Sequence, residues 1–153
     1  MTGKILRYLL YAAMIFLAIS GLYGGVILLV DPSGSKLQLS ISLLENTMFT
    51  NYFIPGLTLL LLLGLVPSFT FYGLISKRKN RIASKLNLYN KKHWAWTFSI
   101  YSGIILITWI DIQVMLIGGG YTIQTVYALL GVLILILTLT PEINRSYKLK
   151  NKK

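Results

Sequence analysis

Residues 76–93 read Ser76-Lys77-Arg78-Lys79-Asn80-Arg81-Ile82-Ala83-Ser84-Lys85-Leu86-Asn87-Leu88-Tyr89-Asn90-Lys91-Lys92-His93. Seven lysines and arginines stand here between two long apolar blocks. Lys4 and Arg7 open the chain ahead of another such block, and Arg145, Lys148, Lys150, Lys152 and Lys153 follow the last. Only Lys36 lies elsewhere. Every second connection is thus basic and the others are not, which is the positive-inside pattern of a membrane protein with both termini in the cytoplasm. A helix needs about 20 residues to cross a hydrocarbon core of about 30 Å. Four segments meet that length: Leu6–Val30, Tyr52–Ile75, Trp94–Ile117 and Tyr121–Thr140. The run Leu59–Leu63 is unbroken leucine, with none of the alternation of a β-barrel strand. Within lipid, backbone groups pair inside their own segment, so helices are expected.

The expected fold is therefore an all-α membrane protein: a four-transmembrane-helix bundle whose outer loop carries a short interfacial helix. Residues 1–144 form the bundle, with spans at about 6–30, 52–75, 94–117 and 121–140, an outer loop at 31–51 and the basic cytoplasmic loop at 76–93. Residues 145–153 read as a disordered basic tail. The expected location is the bacterial cytoplasmic (plasma) membrane. The apolar run from Ile5 to Val30 exceeds the roughly 7–15 residues of a signal-peptide core, so it reads as an uncleaved span. Of the 153 residues 55% are hydrophobic, and the net charge is +11. Such charge also suits a nucleic-acid binder, but these cations flank apolar blocks and no nucleic-acid motif accompanies them. The chain has no cysteine, which removes disulfides, thiolate metal sites and a Cys nucleophile.

Local signals refine this picture. Gly21 and Gly25 form a GxxxG pair, flanked by Ser20 and Gly24. Small residues let a second backbone approach, either from another span or from a second copy in a homodimer; the first reading is the stronger. Asp31-Pro32-Ser33-Gly34 reads as a turn. Alternation over Lys36–Leu43 predicts an extended piece, and Ser42 with Glu45 predicts a capping box opening an interfacial helix over Leu43–Thr50. Pro67 is expected to kink the second span and strip the Leu63 carbonyl of its donor. Ile82, Leu86 and Tyr89 recur at helical spacing, so the basic loop reads as a short helix on the inner leaflet. Lys77, Arg78, Lys79, Arg81, Lys85, Lys91 and Lys92 would meet anionic headgroups there. His93 is the sole histidine, so no metal site is expected.

Candidate functional residues are few. Asp111 is the one carboxylate inside a span. Some 17 residues from Trp94 at 1.5 Å each place it roughly 25 Å across, in the outer half of the bilayer. Thr108 shares its face, and Gln113 and Trp109 are close in sequence. The Gly118-Gly119-Gly120 turn brings Gln124 and Tyr127 to similar depth, and Asp31 and Tyr23 end the first span nearby. These side chains are expected to form either a polar mouth for a headgroup, cation or partner peptide, or a set of hydrogen bonds that fastens the helices. No nucleophile–His–acid set, Gly-rich phosphate loop, GxGxxG or HExxH is present, so no catalytic residue and no cofactor are expected. The leading expectation is a non-enzymatic protein that binds lipid or a membrane partner through its outer mouth and loop. The alternative is a small transporter or channel subunit using Asp111, and a weaker one is an enzyme acting on lipid headgroups.

Several of these residues also resemble a group of small bacterial four-span membrane proteins. The similar parts are Gly24-Gly25, Asp31-Pro32-Ser33-Gly34, Leu43, Phe49, Asn51-Tyr52, Ile54-Pro55-Gly56, Trp109-Ile110, Gln113, Gln124, Tyr127 and Gly131. Asn51 departs from the group, where Asp is more usual. The resemblance implies a four-helix membrane fold and carries no activity.

Overall fold

The computed structural model describes residues 2–119 and 121–149, and these are all-helical, without strands. Helix α1 covers Thr2–Val30, α2 Phe53–Ser76, α3 Arg81–Lys85, α4 Trp94–Ile117, α5 Thr122–Leu139 and α6 Pro141–Ser146. Four of them, α1, α2, α4 and α5, are long and apolar enough to cross a membrane. Their ends fall within a few residues of those read from hydropathy, the usual uncertainty of helix termini. They close a ring in which α1 packs on α2, α2 on α4, α4 on α5, and α5 back on α1. Buried Leu10, Met14, Leu17, Leu74, Leu106 and Ile134 fill its centre. The outward faces stay apolar as well, with Ile19, Leu61, Ile104, Leu129 and Ile136 exposed. Helices apolar all round are those of a buried core or a membrane span.

Glycine sets the closest contact. A Cβ at Gly21 would lie 2.2 Å from the carbonyl oxygen of Leu63, and one at Gly25 would lie 2.7 Å from the Cα of Leu60. The GxxxG pair is thus occupied within the chain, by α2. The Leu63 carbonyl is the one Pro67 deprives of a donor. At this point α2 carries π-helical backbone over Leu59–Leu65, where the Val66 N–H reaches the carbonyl of Leu61. Pro67 then sits in the first turn of the α-helical segment that follows, where its missing N–H costs little.

The two ends differ. At the far end, residues 31–52 form neither an extended piece nor a helix over 43–50. Two 3₁₀ turns, Ser35–Leu37 and Ile41–Leu44, replace them. Gly34 and Gln38 adopt left-handed backbone on either side of the first, which breaks the alternation expected of a strand. Ser40, not Ser42, caps the second turn by accepting from the Ser42 N–H. The Tyr52 hydroxyl donates to the Ser40 carbonyl at 2.7 Å and ties the loop down.

At the basic end, the expected disordered tail is packed as far as residue 149; residues 150–153 lie outside the described ones. Ile143 and Tyr147 are buried. The Tyr147 hydroxyl donates to the Leu74 carbonyl at 2.8 Å and lies 2.9 Å from the hydroxyl of Tyr11. Lys92 and Lys148 form an isolated antiparallel bridge. The short helix of the basic loop is α3, capped by Asn80, whose side chain accepts from the Ala83 N–H at 2.9 Å.

Candidate functional site

A cavity of about 440 Å³ opens at the far end of the bundle. All four long helices and the 31–52 loop contribute to it. Helix α1 supplies Ser20, Tyr23 and Gly24, while α4 supplies Leu106, Trp109, Ile110 and Gln113. Ile123, Gln124 and Tyr127 come from α5, and Leu37 and Leu39 of the loop cover the top. The α4 set recurs at i, i+3, i+4 and i+7, which puts it on one helix face. No Asp, Glu, Lys, Arg or His lines the space. Its size lies within the range of small-molecule sites, about 300–1,000 Å³.

Gln124 is the buried polar residue of the cavity lining. It is only 6% exposed. Its Nε2 donates to the Gly118 carbonyl at 3.3 Å. A carbonyl only accepts, which fixes the amide orientation and leaves Oε1 as the remaining acceptor. Oε1 is buried and has no partner among the described residues. Below it, the Tyr127 ring stacks on Phe16 with centroids 6.1 Å apart.

The residues expected to converge divide into two groups. Trp109, Gln113, Gln124, Tyr127 and Tyr23 meet at the cavity. Asp111 and Thr108 sit on the exposed side of α4, away from it. Asp31 also stays outside and holds the turn. Its carboxylate accepts from the Ser33 hydroxyl at 2.6 Å and from the Lys36 N–H at 2.8 Å. Those bonds, the serine hydroxyl first, keep its pKa below the ordinary carboxylate value. The loop residues Leu37 and Leu39 and the α2 residues Leu59 and Leu63 were not foreseen, because their apolar side chains carry no local mark of a cavity.

The cations of residues 76–93 lie at the opposite end. Lys77, Arg78, Lys79, Arg81, Lys85 and Lys91 are exposed, beside the equally exposed Ile82, Leu86 and Leu88. Lys92 differs: it turns inward, donating to the Asn144 carbonyl at 2.7 Å and lying 5.3 Å from the centre of the Trp96 ring. Burial, aided by Lys148, lowers its pKa. His93 caps α4, its Nδ1 accepting from the Ala95 N–H at 3.3 Å while Nε2 lies 3.1 Å from the Arg78 carbonyl. The neutral Nε2–H tautomer satisfies both contacts. Among the described residues no three His, Asp or Glu side chains gather in a metal-binding group. No known protein family, curated protein or solved structure matches this chain.

Proposed function

We propose that this chain is a non-enzymatic, lipid-binding protein of the bacterial cytoplasmic membrane, which holds an uncharged apolar molecule in its far-end cavity. The observation that carries this reading is the cavity itself: large, lined by all four long helices, and free of charged side chains. In the orientation favoured by the lysines and arginines, both termini and residues 76–93 face the cytoplasm and the cavity lies in the outer half of the bilayer. The exposed cations beside Ile82, Leu86 and Leu88 suit an anionic inner leaflet, where each Lys or Arg contributes about 1 kcal/mol. Ion transport through Asp111 is disfavoured, because its carboxylate sits off the cavity and the core beneath is filled by Leu10, Met14 and Ile134. A homodimer through Gly21 and Gly25 is disfavoured too, since α2 already occupies that face.

Native mass spectrometry after purification in mild detergent tests the reading. We expect one neutral lipid-like molecule to stay bound, and Leu106→Trp, which fills the cavity, to release it. A protein carrying only exchangeable bulk phospholipid would refute it. The chain lacks cysteine, so single cysteines at Ser84 and Ser35 report orientation directly. A membrane-impermeant thiol reagent added outside cells labels position 35 and spares position 84.

A further inference from the structure

At the basic end, α1 carries a second hollow of about 200 Å³, lined by Lys4, Arg7, Tyr8 and Tyr11. The spacing i, i+3, i+4 and i+7 puts all four on one helix face. Two cations line the hollow and no acid does. Glu142, the one acid of this end, packs beside Gly3 and lies outside the lining. Tyr11 is a fixed wall. The Tyr147 hydroxyl donates to the Leu74 carbonyl, and the Tyr11 hydroxyl lies 2.9 Å from that of Tyr147 and 3.3 Å from the same carbonyl. The Tyr11 proton is thus committed within the protein. Arg7 is half-buried, and its Nε donates to the Gly3 carbonyl at 3.2 Å, which holds the guanidinium in place. Its two terminal nitrogens, the Lys4 Nζ and the Tyr8 hydroxyl have no hydrogen-bond partner among the described residues. Lys92, the other cation of this end drawn toward the protein, is met by the Asn144 carbonyl at 2.7 Å.

Depth selects the ligand. Helix α1 has 29 residues and is about 43 Å long, whereas the hydrocarbon core is about 30 Å thick. Its ends stand clear of the core by several ångströms, so Lys4 and Arg7 fall at headgroup level. Exposed Ile5 and Leu9 lie next to the hollow on the same helix and offer an apolar path toward the core. A phosphate at this point accepts two parallel bonds from a guanidinium, the geometry that favours arginine over lysine in phosphate recognition. A zwitterionic headgroup would bring its ammonium to a lining of two cations and no acid. We infer that the hollow holds the phosphate of an anionic phospholipid, one molecule per chain, with Arg7 and Lys4 on the phosphate oxygens, the Tyr8 hydroxyl donating to them, and the acyl chains running along α1 past Ile5 and Leu9. The inference rests on the bundle lying in a membrane and not on what occupies the far-end cavity.

The test titrates the full-length protein in mild detergent with phosphatidylglycerol, or with phosphatidylethanolamine of the same acyl chains, and counts bound lipids by native mass spectrometry. The first phosphatidylglycerol is expected to bind about tenfold more tightly than the first phosphatidylethanolamine, the worth of one hydrogen bond to a charged group. Arg7→Gln is expected to weaken it about tenfold. Arg7→Lys keeps the charge, and with it the orientation bias, and is expected to weaken it several-fold, because an ammonium lacks the planar fork. Arg145→Gln with Lys148→Gln removes two exposed charges from the same end and is expected to leave the first phosphatidylglycerol in place. Leu106→Trp in the far-end cavity is expected to leave it too, and a large excess of inorganic phosphate is expected not to displace it. Equal affinity for the two lipids overturns the inference. Equal losses in Arg7→Gln and in the Arg145, Lys148 double variant overturn it as well, since the lipid would then answer to total charge. Full affinity in Arg7→Lys overturns the guanidinium–phosphate contact. Loss of phosphatidylglycerol in Leu106→Trp would move the lipid to the far-end cavity, and displacement by inorganic phosphate would make the occupant a free anion; either result overturns the inference.

Discussion

Gly21→Ala is the sharpest perturbation of the packing. The new Cβ would lie 2.2 Å from the Leu63 carbonyl oxygen, whereas ordinary contact begins at 3.4 Å. Helices α1 and α2 would have to part by about 1 Å, and the obstacle is backbone with no rotamer to yield. Overpacking of this kind costs about 1–3 kcal/mol, and a backbone clash belongs at the upper limit. Replacing glycine by alanine in a helix returns about 1 kcal/mol. The net loss is about 2 kcal/mol, roughly a thirtyfold fall in the folded-to-unfolded ratio. Gly3→Ala is the matched control, because its Cβ would lie at an ordinary 3.4 Å from Glu142. It is expected to be neutral or slightly stabilising. Reversible unfolding in mixed micelles, followed by circular dichroism, measures both. Equal stability of the two variants would refute the close approach of α1 to α2, and with it the assignment of the GxxxG pair to the inside of the chain.

Three further outcomes follow from particular contacts. Burial holds the His93 pKa below its ordinary value, against smaller opposing effects of its hydrogen bonds to backbone. Its folded form is therefore neutral, so its contribution is complete above about pH 6.5 and is lost as pH falls through the depressed folded value. His93→Asn, which keeps a capping side chain, is expected to flatten that acid limb in a series of melting curves. Tyr147→Phe removes the donor at 2.8 Å from the Leu74 carbonyl and is expected to cost about 1 kcal/mol in the same unfolding assay; an unchanged midpoint would show that residues 141–149 do not clasp the bundle. Asp111→Asn is expected to leave both stability and the retained molecule unchanged, because the side chain is exposed and off the cavity; loss of the bound mass in native mass spectrometry would return Asp111 to the site.

The long helices were legible because the requirement is local. Length and continuous apolarity identify a helix able to cross a membrane without reference to its neighbours. Facing was not legible, and α4 shows why. It is apolar around its whole circumference, so nothing in its periodicity says which side turns inward. Asp111 drew the eye as the one charge, yet the inward stripe is Leu106, Trp109, Ile110 and Gln113. Gly21 and Gly25 announced a close approach but not the partner, which tertiary packing alone decides. Pro67 announced a disturbance, and α2 carries a π-helical stretch just ahead of it. After Pro141 the lysines suggested disorder and masked an apolar pair, Ile143 and Tyr147, spaced to share one face of a helical turn. The cavity has no sequence mark at all beyond its polar residues, since its leucines resemble every other leucine of the bundle.

Trp109 offers the most direct measurement. It lines the cavity, whereas Trp94 and Trp96 are buried at the basic end. A long-chain alcohol brominated along its chain quenches tryptophan on contact. If the cavity holds such a molecule, titration quenches part of the fluorescence saturably, and Trp109→Phe abolishes that part while leaving the rest. Quenching that rises without saturation, and equally in the Trp109→Phe protein, would contradict the account.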